Sequence, residues 1–315
     1  MSSKPRVLLL SAASLAVMAG SLFVGPAFDG PHASFVLLEL RLPRLLVAML
    51  VGAALALSGA AFQILFNNPL ATPSTIGTLS GATLGALASI VLGVDAELWG
   101  LSATTLCAFV GALLTSLFAL GVAVSGRARM SDVLLAGIAI GLSTSALATG
   151  LEYAADSRMV FAASRWSLGQ LPQVGYRGVW LLLPIVVLTT AVTLSQTRAL
   201  SSFMLGEEMA RAQGVHIGRL RSIVLVNASL AVAAVVAWCG PIAFVGLIVP
   251  HLVRLSVGAS LRLVLPLSVV VGAGFLAFAD GLSRALLPGR ELPVGVLTAA
   301  LGAPALIWLL ARQRR

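Results

Sequence analysis

The chain has 315 residues, 59% of them hydrophobic and 10% charged, with a mean hydropathy of +1.03 and a formal charge of +9. Soluble domains carry charge on about a quarter of their residues, so this composition excludes an ordinary cytosolic enzyme and points to a polytopic membrane protein. With two cysteines (Cys107, Cys239) and three histidines (His32, His216, His251), no disulfide framework, thiolate metal site or histidine-only metal centre is expected.

Lys4 and Arg6 precede an apolar run from Val7 to about Pro26. It exceeds the h-region of a signal peptide and lacks a clear A-x-A site, so it reads as a first span. Runs near the ~20 residues that cross a bilayer follow at 44–65, 75–94, 99–124, 132–151, 178–195, 221–239, 241–256, 263–287 and 293–311. The expectation is an all-α protein of ten transmembrane helices, one membrane domain over 1–315. Abundant glycine, as in the G-x-x-x-G pairs Gly81/Gly85 and Gly137/Gly141, predicts helices packed through small residues.

Ten spans place both termini on one face, and thirteen of the twenty Lys and Arg residues then fall on that face. The seven outer ones are balanced by acids. The asymmetry predicts cytoplasmic termini and explains the basic pI as topology, not nucleic-acid binding.

Three segments depart from plain spans. Residues 152–177 lie outside and carry a short amphipathic piece with Trp166 and Tyr176, suited to an interfacial helix. The run 241–256 is short and interrupted by Gly246 and Pro250, and a broken span is tolerated only where its freed backbone is buried or lines a path. The turn after span 2, around Asn67, Pro69 and Pro73, holds the matching position in a second four-span group. Spans 2–5 and 7–10 therefore predict an inverted repeat. Residues 200–217 are the longest polar interval with helical character. Glu207, Ala210 and Gly214 share a helical face there, and Gly206 can take the dihedral that joins two short helices at an angle. The interval reads as a docking surface or as two amphipathic turns on the membrane.

Eight blocks then occur in sequence: RLPR (41–44), GAALALSGAAFQ (52–63), NPLATPSTIG (68–77), RWSLG (165–169), LGEEMARAQGV (205–215), GPIAFVGLIVPHLVR (240–254), ADGLSR (279–284) and ELPVGVLTAALGAPALIWLL (291–310). With these blocks the chain strongly resembles the FecCD-type permeases, the membrane subunits of bacterial ATP-binding-cassette importers for iron-siderophores, haem and cobalamin. The resemblance implies an inner-membrane subunit that pairs with a second copy, as a homodimer, or with a close paralogue. It further implies two ATPase subunits on the cytoplasmic face and a periplasmic or lipid-anchored binding protein outside. The only lysine, Lys4, has no P-loop context, so ATP and Mg²⁺ are expected on the partner ATPase and no cofactor or catalytic residue on this chain.

The resemblance assigns ATPase coupling to Leu205, Gly206, Glu207, Glu208, Ala210 and Gly214. Arg41, Arg44 and Arg284, at the outer ends of spans 2 and 9, match family positions that face carboxylates of the binding protein; snorkelling helix ends are the plain alternative. Asp280 reads as an i,i+4 partner of Arg284. Gly246, Pro250 and His251 mark the structural break beside the translocation path, with His251 expected to cap disrupted backbone. Import of an iron-siderophore, or of a haem- or cobalamin-type chelate, is the expected function, with the siderophore favoured. An ion-coupled secondary transporter would share the repeats without needing the 201–215 helices, and an intramembrane protease built on Ser143 and His251 would lack nameable oxyanion donors.

Overall fold

The computed structural model describes residues 4–25, 33–98, 100–124, 130–173, 175–287 and 290–313. Of the residues used above, Pro26, Asp29, His32, Trp99, Arg127, Arg129, Arg314 and Arg315 lie outside them, as do the side chains of Lys4 and Arg312.

Thirteen helices account for most of this chain: α1 (Lys4–Ser21), α2 (Ala33–Leu65), α3 (Thr78–Val91), α4 (Ala103–Val124), α5 (Met130–Ala154), α6 (Ser157–Ser167), α7 (Arg177–Ser195), α8 (Thr197–Phe203), α9 (Glu207–Ala212), α10 (Ile217–Cys239), α11 (Val245–Val257), α12 (Leu261–Ala285) and α13 (Val294–Gln313). A small antiparallel hairpin, β1 (Glu97–Leu98) with β2 (Leu101–Ser102), joins α3 to α4. By length and composition α2, α4, α5, α7, α10 and α12 can cross a membrane, and the shorter apolar helices α1, α3, α11 and α13 complete ten. Each falls within or over one apolar run of the sequence.

The two shortest, α3 and α11, are each the second helix of a four-helix group, and part of each predicted run is not helical. Residues 66–77 turn through Asn67 and a 3-10 turn at Pro73–Ile76, and residues 240–244 form an irregular lead into α11. The break expected at Gly246 and Pro250 is corrected accordingly: α11 keeps helical form from Val245 through both, losing within the helix only the bond that Pro250 cannot donate, and irregular backbone precedes it.

Reciprocal packing carries the inverted repeat. α2 lies on α12 as α10 lies on α4, the first helix of each group against the third of the other, and α3·α4 mirrors α11·α12. Small residues permit this closeness. A Cβ at Gly52 would stand 2.1 Å from the Gly272 carbonyl oxygen, and one at Gly59 would stand 1.9 Å from that of Gly246. Gly81 and Gly85 behave the same way against α4, whereas Gly141 meets only the Ser80 hydroxyl at 3.6 Å, so one of the two G-x-x-x-G pairs is a contact face and the other is half of one. α2 and α10 are the enclosed centre; α5 is mostly bare.

Candidate functional site

We call the end carrying α8 and α9 the inner end, following the charge count. Gln196 leads α7 into α8, and Gly206, at φ 107 and ψ 154, turns the chain from α8 into α9. That φ is open to glycine at little cost. At the far end Val215 N donates to Ala210 O and Gly214 N donates to Arg211 O, with Gly214 at φ 80. This is a Schellman ending, so Gly214 terminates α9. Ser202 Oγ donates to Gln213 Oε1 at 2.6 Å and braces the elbow.

The face of this elbow differs from the helical-wheel expectation. Ala210 is 0% exposed and presses α9 onto the bundle, because a small apolar residue lets the short helix sit close. Glu207 turns inward, its carboxylate taking Arg221 on α10 and Arg211 at 3.4 Å. The outward face is instead Met204, Leu205 (68% exposed), Glu208 and Met209. Three exposed apolar side chains thus stand together on a polar elbow, the composition that marks interaction surfaces.

On the bundle axis, Pro250 lacks the N–H that would bond the Gly246 carbonyl four residues earlier. Gln63 of α2 supplies the missing donor: its Nε2 reaches Gly246 O at 3.2 Å and Leu247 O at 3.3 Å, while its Oε1 accepts from Arg254. The expectation that His251 caps this backbone is therefore corrected. His251 Nε2 is buried without a hydrogen bond to any described residue, and Gln63 reaches the carbonyls because Gly59 and Gly246 let α2 and α11 touch. Beside this joint a cavity of about 210 Å³ brings together the two irregular leads, with Thr72 and Ser74 from one and Ile242 and Phe244 from the other. Phe244 holds φ 68, rare for a bulky residue, and its ring lies where a side chain at Gly302 of α13 would collide. Strain of this kind is maintained only by surrounding packing.

At the outer end, Arg41, Arg44 and Arg284 come together as the motif positions implied, but they do not reach the surface. All three are at most 8% exposed. Arg44 Nε donates to Asp280 Oδ1 at 2.7 Å and Nη1 to Glu291 Oε2 at 2.6 Å. Arg284 pairs with Asp280 Oδ2 at 3.2 Å, the expected i,i+4 contact, and also donates to Ser21 O and Val24 O. Arg41 Nη1 donates to Leu22 O at 3.0 Å. The guanidiniums thus clamp the main chain after α1 to α2 and α12, where carbonyls left unpaired at a helix end need donors. Only Glu291, 47% exposed, opens this cluster to the surface.

Around the same end, α6 starts on an Asp156 cap that accepts from Arg158 N and Met159 N. Gln170 N, just past α6, donates to Cys239 O at 2.7 Å, and Tyr176 Oη donates to Leu38 O at 2.8 Å. Among the described residues no three His, Cys, Asp or Glu side chains group to hold a metal. Ser143 makes no hydrogen bond to His251.

The sequence pattern of the FecCD transport family matches residues 7–312. The vitamin B12 import system permease protein BtuC of Escherichia coli O9:H4 (strain HS) is 38% identical over 312 residues, covering 98% of this chain and 94% of that protein. The chain superposes on a metal-chelate-type ABC transporter in an inward-facing conformation with a TM-score of 0.87 and 30% identity, over 98% of this chain and 99% of the other. PsaBC from Streptococcus pneumoniae, solved in complex with a Fab, aligns with a TM-score of 0.58 and 18% identity over 84% and 88% of the two chains, a likeness of fold.

Proposed function

The chain belongs to the FecCD transport family and is a multi-pass permease subunit of a bacterial ABC importer, and on that premise we propose that it carries a cobalamin-type metal chelate across the inner membrane. The ATPase would dock on the exposed elbow of α8 and α9, which is the observation that carries this reading: Met204, Leu205 and Met209 are exposed on a face that no described residue covers. Leu205, Gly206 and Glu208 keep their proposed coupling role, while Ala210, Glu207 and Gly214 shape the elbow from beneath.

The cargo reading follows the likeness to BtuC across 98% of this chain. An iron-siderophore is the second reading, resting on the RWSLG and NPLATPSTIG blocks. Sites for drug-sized ligands span about 300–1,000 Å³, so the axial cavity of about 210 Å³ is too small to pass a chelate. A path between this chain and a second permease chain fits better, with the bare helix α5, exposing Ser143, Ser145 and Thr149, as its uncovered wall. Hydroxyls facing a protein partner or water-filled path are easier to accommodate than hydroxyls facing lipid. Two ATPases, a binding protein outside and cytoplasmic termini complete the proposal. Neither an ion-coupled transporter nor a protease is favoured: the first leaves the apolar elbow without a use, and the second leaves Ser143 without a base.

Changing Met204 and Leu205 together to Glu should leave the chain folded and abolish co-purification of its ATPase. An ATPase retained at wild-type stoichiometry by the double variant would refute the docking assignment. Reconstituted with ATPase and binding protein, the permease should accumulate labelled cyanocobalamin in preference to a labelled ferric siderophore; the reverse preference would move the cargo to the second reading.

A further inference from the structure

Glu207 and Glu208 are adjacent, yet the fold gives them different tasks. Glu208 faces out beside Met209. Glu207 faces in, with Oε1 on Arg221 and Oε2 on Arg211. Arg211 belongs to the same short helix and fixes the carboxylate, whereas Arg221 belongs to the next one. The Arg221 side chain is 15% exposed, so the bridge between α9 and α10 is partly shielded and held by two guanidiniums, unlike a loose surface pair.

What α10 does at its other end makes this bridge consequential. It has 23 residues and no proline, and at 1.5 Å per residue spans about 35 Å, while α11, α12 and α13 each contain a proline. Its last residue accepts the hydrogen bond from Gln170, just past α6. A Cβ at Gly240 would lie 2.4 Å from the Trp166 carbonyl oxygen in the final turn of α6. An enclosed, uninterrupted helix therefore runs from the α9 elbow to the underside of the outer amphipathic helix, joined at one end by a charged bridge and at the other by main-chain contact.

We propose that Glu207 is a positioning residue for transport: its bridge to Arg221 makes α9 and α10 move as one body, so displacement imposed on α9 by an ATPase reaches α6 at the opposite end. The inference rests on the docking reading of α8 and α9 and adds the route by which docking is felt across the membrane. Spatial continuity alone does not establish coupling, so the bridge itself must be tested.

The permease–ATPase complex in nanodiscs, carrying a spin label on a cysteine at exposed Ser164 of α6, reports the outer end. Glu207→Gln and Arg221→Gln should each co-purify with the ATPase and hydrolyse ATP. The change in label mobility on adding ATP with vanadate should nevertheless be lost. The charge-swapped pair, Glu207→Arg with Arg221→Glu, made together with Arg211→Glu so that both partners of position 207 reverse sign, should recover the response, which a merely structural lesion would not. A full response from Glu207→Gln would overturn the proposal, as would a swapped pair no better than the single variants. Failure of the docking reading shows separately, as ATPase retained by the Met204 and Leu205 double variant.

Discussion

Replacing Gln63 by Leu tests whether a side chain on one helix repairs the backbone of another. The change keeps the volume of the residue but removes the donor to the Gly246 and Leu247 carbonyls, at 3.2 and 3.3 Å, and the acceptor for Arg254. Hydrogen bonds between membrane helices contribute about 0.6 kcal/mol on average and at most about 1.7. A buried partner left unpaired costs about 1–3 kcal/mol, more if charged. Two geometrically stretched bonds to carbonyls and one charged bond therefore sum to about 2–4 kcal/mol of destabilisation. The part owed to Gly246 can be isolated, because Pro250→Ala restores an N–H four residues after that carbonyl. In the Pro250→Ala background the cost of Gln63→Leu should fall by about 1 kcal/mol, leaving the Arg254 share. Unfolding by SDS titration in bicelles, on the four proteins of the cycle, measures this directly. An identical cost in both backgrounds would refute the idea that Gln63 substitutes for the amide that Pro250 lacks.

Gly59→Ala should prevent stable assembly of the helix bundle, since its methyl would stand 1.9 Å from the Gly246 carbonyl oxygen, whereas Gly218→Ala, with nothing within 4 Å, should be neutral. Overpacking costs about 1–3 kcal/mol and more against backbone that cannot yield, so the first should be lost in expression and size-exclusion assays and the second should not. Asp280→Asn should cost about 3–5 kcal/mol in the same SDS titration, because it leaves Arg44 and Arg284 buried with only Glu291 as a carboxylate partner. A loss below about 1 kcal/mol would mean the two guanidiniums do not depend on that carboxylate.

The helices were legible because apolar length alone identifies them: the run 221–239 becomes α10 with little change, while 44–65 becomes the later two-thirds of α2, which begins eleven residues earlier at Ala33. Runs 75–94 and 241–256 misled at their edges, since residues such as Thr75 and Ile242 are apolar enough to count toward a span while adopting irregular backbone that only neighbouring helices can shelter. Charge sidedness put Arg41, Arg44 and Arg284 at one end, where the structure gathers them, but could not give their depth, because a guanidinium bound to main-chain carbonyls and one bathed in water have the same sequence. For α9 the spacing put Glu207 and Ala210 on one face without its direction, and Gly214, expected on that face, lies beyond the helix as its left-handed ending. Inward and outward differ only in what lies behind, here Arg221. Gln63 carried one available signal, a lone amide ending an apolar run, but its purpose depends on Pro250, almost two hundred positions away. The strained Phe244 had no local signature at all.

Arg284 and Arg41 hold the segment following α1 through the carbonyl oxygens of Ser21, Leu22 and Val24. Every amino acid offers the same carbonyl, so this attachment places almost no demand on which residues occupy 21–24. The two sides of one joint should then tolerate change very unequally: a saturation library at the exposed positions 23 and 24 should return many working sequences, while libraries at 41 and 284 should return few besides arginine. Divergence among close relatives would follow the same line, with rapid drift in the fastened strand and near-fixity in the side chains that fasten it.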